Sequence, residues 1–195
     1  MSPATGRLLD RGRCCLAVID VQDFFLAKLP AEQRAPLVAR IAWLMRVALA
    51  LEIPLLVTGE DISRVGGVVP EIASLLPAGS VVHDKMVFDL MGQADIRAAV
   101  AATGRDQFVL TGLESDVCVT HSAFGLMAAG YEVTLALDAC ASPPPHHEIG
   151  IERLRAAGVT LTTAKGIYYD WLRDVATLAR IRAQMGPALP PGLTL

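Results

Sequence analysis

The sequence predicts a three-layer α/β fold of the Rossmann type, in which a six-stranded, mostly parallel sheet is flanked by helices on both faces. Two observations support this prediction. Short apolar runs alternate with segments of helical periodicity along the chain. The first run, residues 14–20 (CCLAVID), is apolar on both faces, as expected of a strand buried between two layers of helices. Such alternation implies right-handed crossovers between parallel strands.

Six runs are predicted as strands because each is short, apolar and separated from the next by a segment of helical spacing. They are 14–20, 54–58, 80–83, 107–111, 132–137 and 159–162. The intervening helices are predicted over 32–51, 69–76, 93–103, 117–129, 146–157 and 172–185. Three boundaries carry a clear signal, because Pro54 interrupts the helical pattern and Gly104 and Gly130 follow helical segments.

The composition favours one globular domain over residues 1–195, with a core from about 14 to 185. Of the 195 residues, 53% are hydrophobic, and no low-complexity segment interrupts them. The net charge is −3 and the basic residues are scattered, which argues against nucleic acid or an anionic membrane as a partner. No apolar stretch approaches the roughly 20 residues of a membrane span.

The expected location is the cytoplasm. The opening sequence MSPATGRLLDRGR lacks the basic-then-apolar layout of a signal peptide. The four cysteines are too few and too irregularly placed to predict a disulfide framework or a zinc cage. A reducing compartment therefore fits the sequence.

Three reactive side chains, Asp20, Lys85 and Cys118, follow predicted strands. The carboxyl ends of parallel strands meet at one edge of the sheet, where ligands bind, so we expect these side chains to converge. Cys118 falls in the first turn of a predicted helix, where free N–H groups and the helix dipole favour a thiolate. Asp20 could accept the thiol proton and Lys85 could stabilise the thiolate, so that Cys118 attacks a carbonyl and forms a thioester.

Each of these residues also has a structural interpretation. A cysteine is often a small buried hydrophobe, and this interpretation is favoured for Cys14, Cys15 and Cys140. Asp20 alone could cap a turn, and Lys85 alone would be a solvated surface residue. Only their joint placement with Cys118 makes them candidates for catalysis.

The chain resembles the isochorismatase-like cysteine hydrolases, from about residue 14 to 185. The resemblance rests on VIDVQDFF at 18–25, DKMVFD at 84–89 and TGLESDVCVTHSAFGLMAAGYEV at 111–133. It is supported by ALDACAS at 136–142 and ERLRAAGVTLTTAKGIYYDWL at 152–172. The match is closest to the subgroup known only as isochorismatase-family hydrolases.

The resemblance implies an Asp–Lys–Cys catalytic triad, which carries over to Asp20, Lys85 and Cys118. It also implies a cis peptide bond between Leu113 and Glu114, which would aim the backbone amides of Glu114 and Cys118 at the substrate oxygen as an oxyanion hole. Gln22 matches the Asp-x-Gln element of the family and is expected beside the triad, in the substrate pocket.

No metal and no cofactor are expected. Nicotinamidases of this superfamily bind a metal through an Asp-x-His element and a further histidine after the second strand. The corresponding region here, TGEDISRVGG at 58–67, contains no histidine. His83 lies in a predicted strand, and His146 and His147 follow a proline run that is distant in the pattern.

The substrate pocket is expected to include Phe24, Phe88 and His121 beside Gln22. The phenylalanines could instead pack in the core, and His121 could face either the pocket or the next strand. The family acts on amides, carbamoyl groups and a vinyl ether, and the cysteine is dispensable for the vinyl ether. The presence of Cys118 therefore favours a small amide or carbamoyl substrate.

Three functions remain open at the level of the sequence. The first is a metal-independent cysteine hydrolase that cleaves a C–N bond through a thioester on Cys118. The second is a vinyl ether hydrolase with Asp20 as the general acid, and the third is a binding protein that keeps the fold but not the reaction. Members of the superfamily commonly assemble, so a homo-oligomer is expected.

Overall fold

The computed structural model describes residues 8–195. Its strands are β1 (Cys14–Ile19), β2 (Leu55–Glu60), β3 (Val82–Lys85), β4 (Gln107–Leu113), β5 (Glu132–Ala141) and β6 (Thr160–Thr162). Its helices are α1 (Asp23–Leu26), α2 (Ala31–Ala50), α3 (Ile62–Val65), α4 (Pro70–Ala73), α5 (Ala94–Ala102), α6 (Cys118–Ala128), α7 (His146–Ala156), α8 (Ala164–Leu172) and α9 (Val175–Met185). A short 3-10 helix spans Leu90–Gly92.

The six strands form one sheet in the order β3-β2-β1-β4-β5-β6, and every pairing is parallel. The prediction of an α/β fold with a six-stranded, mostly parallel sheet is confirmed. The chain runs outward from β1 to β3 on one side and then returns to place β4 on the other side of β1. The strand order therefore reverses between β1 and β4, and ligands of such sheets bind beyond the carboxyl ends of the strands at this point.

The two faces of β1 show how the sheet is covered. All six of its residues are buried. Alternate side chains, such as Leu16 and Val18, pack in one hydrophobic cluster with residues of α2, including Ile41. The side chains between them, such as Ala17, pack in a second cluster with residues of α6, including Val119. This period of two, with a helix on each face, explains why residues 14–19 are all apolar.

Several predicted boundaries are wrong by a few residues. The second strand continues two residues beyond 58, to Glu60, and the fifth continues from 137 to Ala141. The predicted helix over 172–185 is two helices, because Arg173 has a left-handed backbone (φ 66°) that ends α8. Asp174 then caps α9 by accepting a hydrogen bond from the Thr177 amide. In the described residues, no helix is both long and apolar enough to cross a membrane.

The carboxyl ends of β1 and β4 lie unusually close together at Gly112. This glycine has φ 117°, and a Cβ atom built on it would overlap the Ile19 carbonyl oxygen. Only glycine satisfies both conditions. The close approach brings the residue after β1 next to the loop that leaves β4.

Candidate active site

The structure brings the three sequence-predicted catalytic side chains together at the carboxyl edge of the sheet. Asp20 directly follows β1, Lys85 is the last residue of β3, and Cys118 is the first residue of α6. All three residues are buried. Lys85 Nζ lies 2.9 Å from Asp20 Oδ2 and 3.5 Å from Cys118 Sγ. The ammonium therefore lies within reach of both the carboxylate and the sulfur.

Backbone geometry and one hydroxyl hold Asp20 in place. Its backbone is left-handed (φ 52°), a conformation that aspartate and asparagine tolerate better than most residues. Thr58 on β2 donates a hydrogen bond from Oγ1 to Asp20 Oδ1 at 2.8 Å. Lys85 is held from its other side, because Nζ also donates to the Val87 carbonyl oxygen at 2.9 Å.

A fourth ionisable residue, Glu60, belongs to this cluster and was missed by sequence reasoning. It is the last residue of β2 and the register partner of Lys85. Glu60 Oε2 accepts a hydrogen bond from Cys118 Sγ at 3.1 Å and lies 3.7 Å from Lys85 Nζ. Its side chain is 16% exposed, so Glu60 links the buried cluster to the protein surface.

A sequence signal for Glu60 exists in the period of two along a strand. The predicted second strand ends at Thr58 and does not include Glu60. Extending the strand by two residues puts Thr58 and Glu60 on the same face, toward the Asp20 and Lys85 side chains. A carboxylate in that position is the signal that would have found it.

Gln22 holds the backbone of Glu60. The Gln22 side chain is buried, and its Nε2 donates to the Glu60 carbonyl oxygen at 2.9 Å while its Oε1 accepts from the Glu60 amide at 2.7 Å. Nε2 also donates to the carbonyl oxygen of Gly66. Both ends of the amide group therefore bind the chain that follows β2. Contact between Gln22 and a substrate stays a prediction.

The expectation of an acidic thiol at Cys118 is wrong in direction. Burial raises the pKa of Cys118, and repulsion by the Asp20 carboxylate raises it further, whereas the Lys85 ammonium lowers it. The hydrogen bond to Glu60 and the charge of Glu60 add to the increase. Two carboxylates thus outnumber one ammonium, and a thiolate would add a third negative charge to a buried site.

The pKa values of the two other buried groups are also raised above their ordinary values. Burial raises the pKa of Asp20 by more than the attraction and hydrogen bonding of Lys85 lower it. Burial alone lowers the pKa of Lys85, but the charges of Asp20, Cys118 and Glu60 outweigh burial and raise it. The resting site therefore contains a protonated thiol beside a charged ammonium.

The loop between β4 and α6 has the geometry that the family resemblance implies. The Leu113–Glu114 peptide bond is cis. Within residues 8–195, the backbone amides of Glu114 and Cys118 donate no hydrogen bond to a protein acceptor, whereas Ser115 donates to the Ala141 carbonyl and Val119 donates to the Glu114 carbonyl. Two free N–H donors thus lie at the amino end of the helix that begins with the thiol. Their role as an oxyanion hole stays a prediction.

A hydrogen-bonded network supports this loop from the side of α7. Ser115 Oγ lies 2.9 Å from both Ser142 Oγ and His147 Nδ1, and Ser142 Oγ donates to Asp116 Oδ1. The helix and the loop are in close contact, because a Cβ atom on Gly150 would lie 2.7 Å from Asp116 Cα. His147, placed far from the site by the sequence pattern, is therefore a neighbour of the loop that leads to Cys118.

The aromatic residues predicted for the pocket lie at the surface near these loops. Phe88 is 51% exposed and its ring centroid lies 5.9 Å from that of His121. Phe24 is 45% exposed and lies beneath the Lys28 ammonium, which also forms an ion pair of 3.0 Å with Glu114 Oε1. Lys28 therefore connects Phe24 to the loop with the cis peptide. Contact of these aromatic residues with a substrate stays a prediction.

The charged cluster contains a set of atoms that a metal ion could use. Ligand atoms of Asp20, Glu60 and Cys118 lie within 4.8 Å of one another. The Lys85 ammonium already lies between them, at 2.9 Å from Asp20 and 3.7 Å from Glu60. A divalent cation would have to displace this ammonium, so the three groups fit the ammonium better than a metal.

Comparison with known proteins shows which family the chain belongs to. A family model described as the isochorismatase domain matches residues 14–166. Isochorismatase family protein 2A of Dictyostelium discoideum is 29% identical over 166 residues, covering 82% of each chain.

Two solved structures share the fold. YcaC of Pseudomonas aeruginosa, described with hexane-2,5-diol and covalent acrylamide, has a TM-score of 0.80 at 22% identity and covers 91% of both chains. The ycaC gene product of Escherichia coli, described as an octameric hydrolase of unknown specificity, also has a TM-score of 0.80 at 22% identity. That alignment covers 92% of this chain and 91% of the other.

Proposed function

The chain belongs to the isochorismatase family of hydrolases, and we propose that it cleaves a C–N bond of a small amide or carbamoyl compound through a thioester on Cys118. One observation carries this proposal. The Lys85 ammonium lies 3.5 Å from the Cys118 sulfur and 2.9 Å from a carboxylate that is buried with it. A cation fixed beside a nucleophilic atom stabilises the negative charge that the atom acquires as its proton leaves.

The roles of the residues follow from these contacts. Cys118 Sγ attacks the carbonyl carbon, and the free amides of Glu114 and Cys118 stabilise the oxyanion that forms. Losing one such donor in other enzymes costs about 3–4 kcal/mol of transition-state stabilisation. Asp20 holds the Lys85 ammonium against the sulfur. Departure of the amine leaves a thioester, which water then hydrolyses.

The proposed reaction requires no metal and no cofactor. The Lys85 ammonium supplies the positive charge that a metal supplies in other hydrolases, and it lies within the acidic cluster. The Phe24, Phe88 and His121 side chains lie near the loops around the site and are proposed, with Gln22, to line the substrate pocket. A small uncharged amide matches the apolar character of these rings.

One observation favours a second candidate, the hydrolysis of a vinyl ether. A general acid must hold a proton, and burial raises the pKa of Asp20. In that reaction Asp20 protonates the substrate and the thiol is not used. Replacement of each residue in turn separates the two candidates, because Cys118→Ala abolishes amide hydrolysis but spares the vinyl ether reaction. Asp20→Asn abolishes the vinyl ether reaction.

The experiment that tests the proposal is a mass-spectrometric search for an adduct. We expect incubation with acrylamide, or with a panel of small amides, to add mass to Cys118 and not to the other cysteines. Cys14 and Cys15 have no exposed surface inside the central strand β1. Cys118→Ala should give no adduct and no turnover, while the control Cys140→Ala keeps both. An adduct on Cys14 or Cys140, or turnover that survives in Cys118→Ala, would contradict the proposal.

We further propose a cytoplasmic homo-oligomer. The cytoplasmic location is supported by four free, buried cysteines, which suit a reducing compartment. Assembly is supported by the octameric structure of the Escherichia coli protein. It is also supported by an exposed apolar segment next to Lys85, in which Met86 is 63% and Phe88 51% exposed. Light scattering on the purified chain measures the number of subunits.

A further inference from the structure

We propose that His147 is a positioning residue for the loop that carries the oxyanion hole, and that it is the first donor of a hydrogen-bond chain that ends on Asp116. This inference rests on the proposed cysteine hydrolase function and adds to it a residue from α7, outside the charged cluster. Three features carry the inference: the direction of the chain, the place of its acceptors in the loop, and the packing of α7 against that loop.

The direction of these hydrogen bonds follows from the number of protons that each group can donate. Ser142 Oγ donates to Asp116 Oδ1, so its single proton is used there. Ser142 Oγ must therefore accept from Ser115 Oγ, which lies 2.9 Å away. The Ser115 proton is then used as well, so Ser115 Oγ accepts from His147 Nδ1 at 2.9 Å. His147 thus carries a proton on Nδ1 whether its ring is neutral or charged.

The chain selects one tautomer of the neutral ring. Burial lowers the pKa of His147, although the charges of Glu148 and Asp116 oppose this decrease, so the ring is neutral at pH 7.5. Its single N–H proton then lies on Nδ1 and its lone pair on Nε2. In the other tautomer Ser115 would donate to Nδ1, and the 2.9 Å contact between the two serine oxygens would contain no proton.

The acceptors of the chain are the central residues of the loop between β4 and α6. The amides proposed for the oxyanion hole belong to Glu114 and Cys118, one at each end of this loop. Ser115 and Asp116 lie between them, and the Asp116 amide also donates to Ser142 Oγ at 3.3 Å. A displacement of these two central residues would therefore move the two amides relative to each other.

The helix that carries His147 lies directly against this loop. Gly150 is one turn further along α7, and a Cβ atom on it would lie 2.7 Å from Asp116 Cα. Ser115 has no exposed surface, so the donor to its hydroxyl oxygen has to come from the protein. His147 is half-buried at the amino end of α7 and supplies that donor.

Two reactions of the Cys118 thiol separate this role from a general disturbance of the site. In the addition to acrylamide, the S–C bond forms at the β carbon, the alkene electrons move toward the carbonyl oxygen, and the thiol proton ends on the α carbon. Negative charge builds on that oxygen, so an oxyanion hole accelerates the addition. In alkylation by iodoacetamide, the S–C bond forms as the C–I bond breaks, iodide takes the electron pair, and the thiol proton passes to water. No oxyanion forms in that reaction.

The ratio of the acrylamide rate to the iodoacetamide rate therefore tests the position of the loop, and mass spectrometry of Cys118 at pH 7.5 measures both rates. His147→Asp should lower this ratio by about 10-fold or more, because a carboxylate cannot donate to Ser115 and a displacement of about 1 Å can cost about 100-fold in enzymes. His147→Asn should keep the ratio within about 3-fold of the unmodified protein. Asparagine has nearly the same shape as aspartate, but its amide nitrogen can replace Nδ1 as the donor.

The matched control is His146→Asp. His146 is exposed and is the residue before His147 on α7, so this variant adds the same charge to the same helical turn but leaves the chain intact. Its ratio should stay within about 2-fold of that of the unmodified protein. Ser142→Ala is a second test, which decides the matter if His147→Asp does not fold. It interrupts the chain between Ser115 and Asp116 and should also lower the ratio by about 10-fold or more.

An unchanged ratio in His147→Asp or in Ser142→Ala would overturn the role of His147. A fall in His147→Asn as large as that in His147→Asp would overturn it as well, because the loss would then not depend on the donor. Failure of the proposed function has a different signature. Hydrolysis of a small amide such as p-nitroacetanilide would then persist in Cys118→Ala, whatever the ratio in the His147 variants.

Discussion

The ion pair between Lys85 and Asp20 allows a stability prediction that tests the electrostatics of the site. Both side chains have no exposed surface. Removing one partner of a buried ion pair leaves an uncompensated charge and costs about 3–5 kcal/mol in other proteins. We therefore expect Lys85→Met to lower the free energy of unfolding by an amount in this range at pH 7.

The double variant Asp20→Asn, Lys85→Met separates charge from packing. Replacing both charges should recover much of the lost stability, because no buried charge then lacks a partner. Asparagine suits the left-handed backbone at residue 20 and keeps an acceptor for the Thr58 hydroxyl. Arg64→Met, which breaks the exposed Asp61–Arg64 pair, is the control and should have a much smaller effect on stability.

The pH dependence of the Lys85→Met variant gives a further check. Burial raises the folded-state pKa of Asp20 above its unfolded value, and without the ammonium nothing from Lys85 opposes this increase, so the pKa rises further. The folded state then binds more protons than the unfolded state, so stability is highest at low pH and falls as pH rises toward the folded pKa. The slope is at most about 1.4 kcal/mol per pH unit.

Urea denaturation followed by tryptophan fluorescence measures these free energies. Two variants are compared only if the free energy of unfolding depends on urea concentration with the same slope in both. The reasoning is refuted if Lys85→Met is as stable as the unmodified protein. It is also refuted if the effects of the two single substitutions simply add in the double variant, since neighbours in one charge pair should couple.

Two further predictions concern the packing around the site. Gly112→Ala should lower the free energy of unfolding by at least about 3 kcal/mol, because the new Cβ atom would overlap the Ile19 carbonyl. The control Gly130→Ala, at a left-handed glycine with free space around it, should lower it by only about 1–2 kcal/mol. Equal shifts of the melting temperature in the two variants would contradict this prediction. Burial lowers the pKa of His147, so the folded state loses stability as pH falls below about 6.5. His147→Asn should therefore flatten the pH dependence of the melting temperature, and an unchanged profile would contradict this.

The sequence predicts the sheet and two parts of the site because these depend on local patterns. The run 14–19 is apolar on both faces, and Asp20 is the first polar residue after it. Cys118 opens a helix directly after a strand and turn, so its place at the carboxyl edge of the sheet follows from the chain order. The position of Lys85 follows from the same rule, although the strand before it was placed two residues too early.

Glu60 and His147 escape such patterns because tertiary contacts decide their positions. Glu60 extends β2 only because Lys85 is its partner in the neighbouring strand, and a Gly-Glu-Asp sequence otherwise indicates a loop. His147 contacts Ser115 across 32 positions of sequence, through a packing of α7 that no local periodicity encodes. The division of the last helix at Arg173 likewise depends on a backbone conformation that arginine seldom adopts.

The protonation state of the thiol could not be derived from the sequence, because it depends mainly on how deeply the sulfur is buried. The charges of one carboxylate and one ammonium cancel, and the amino end of a helix beside them would then favour a thiolate. Burial of the sulfur and repulsion by Asp20 raise the pKa of Cys118, and Glu60, 3.1 Å from the sulfur, adds to the increase, so burial and negative charge together outweigh the ammonium. The same imbalance orders the variants: iodoacetamide should react fastest with Glu60→Gln, more slowly with the unmodified protein, and slowest with Lys85→Met, where nothing offsets the carboxylates. A thiol whose reactivity is set by the helix alone would react equally in all three.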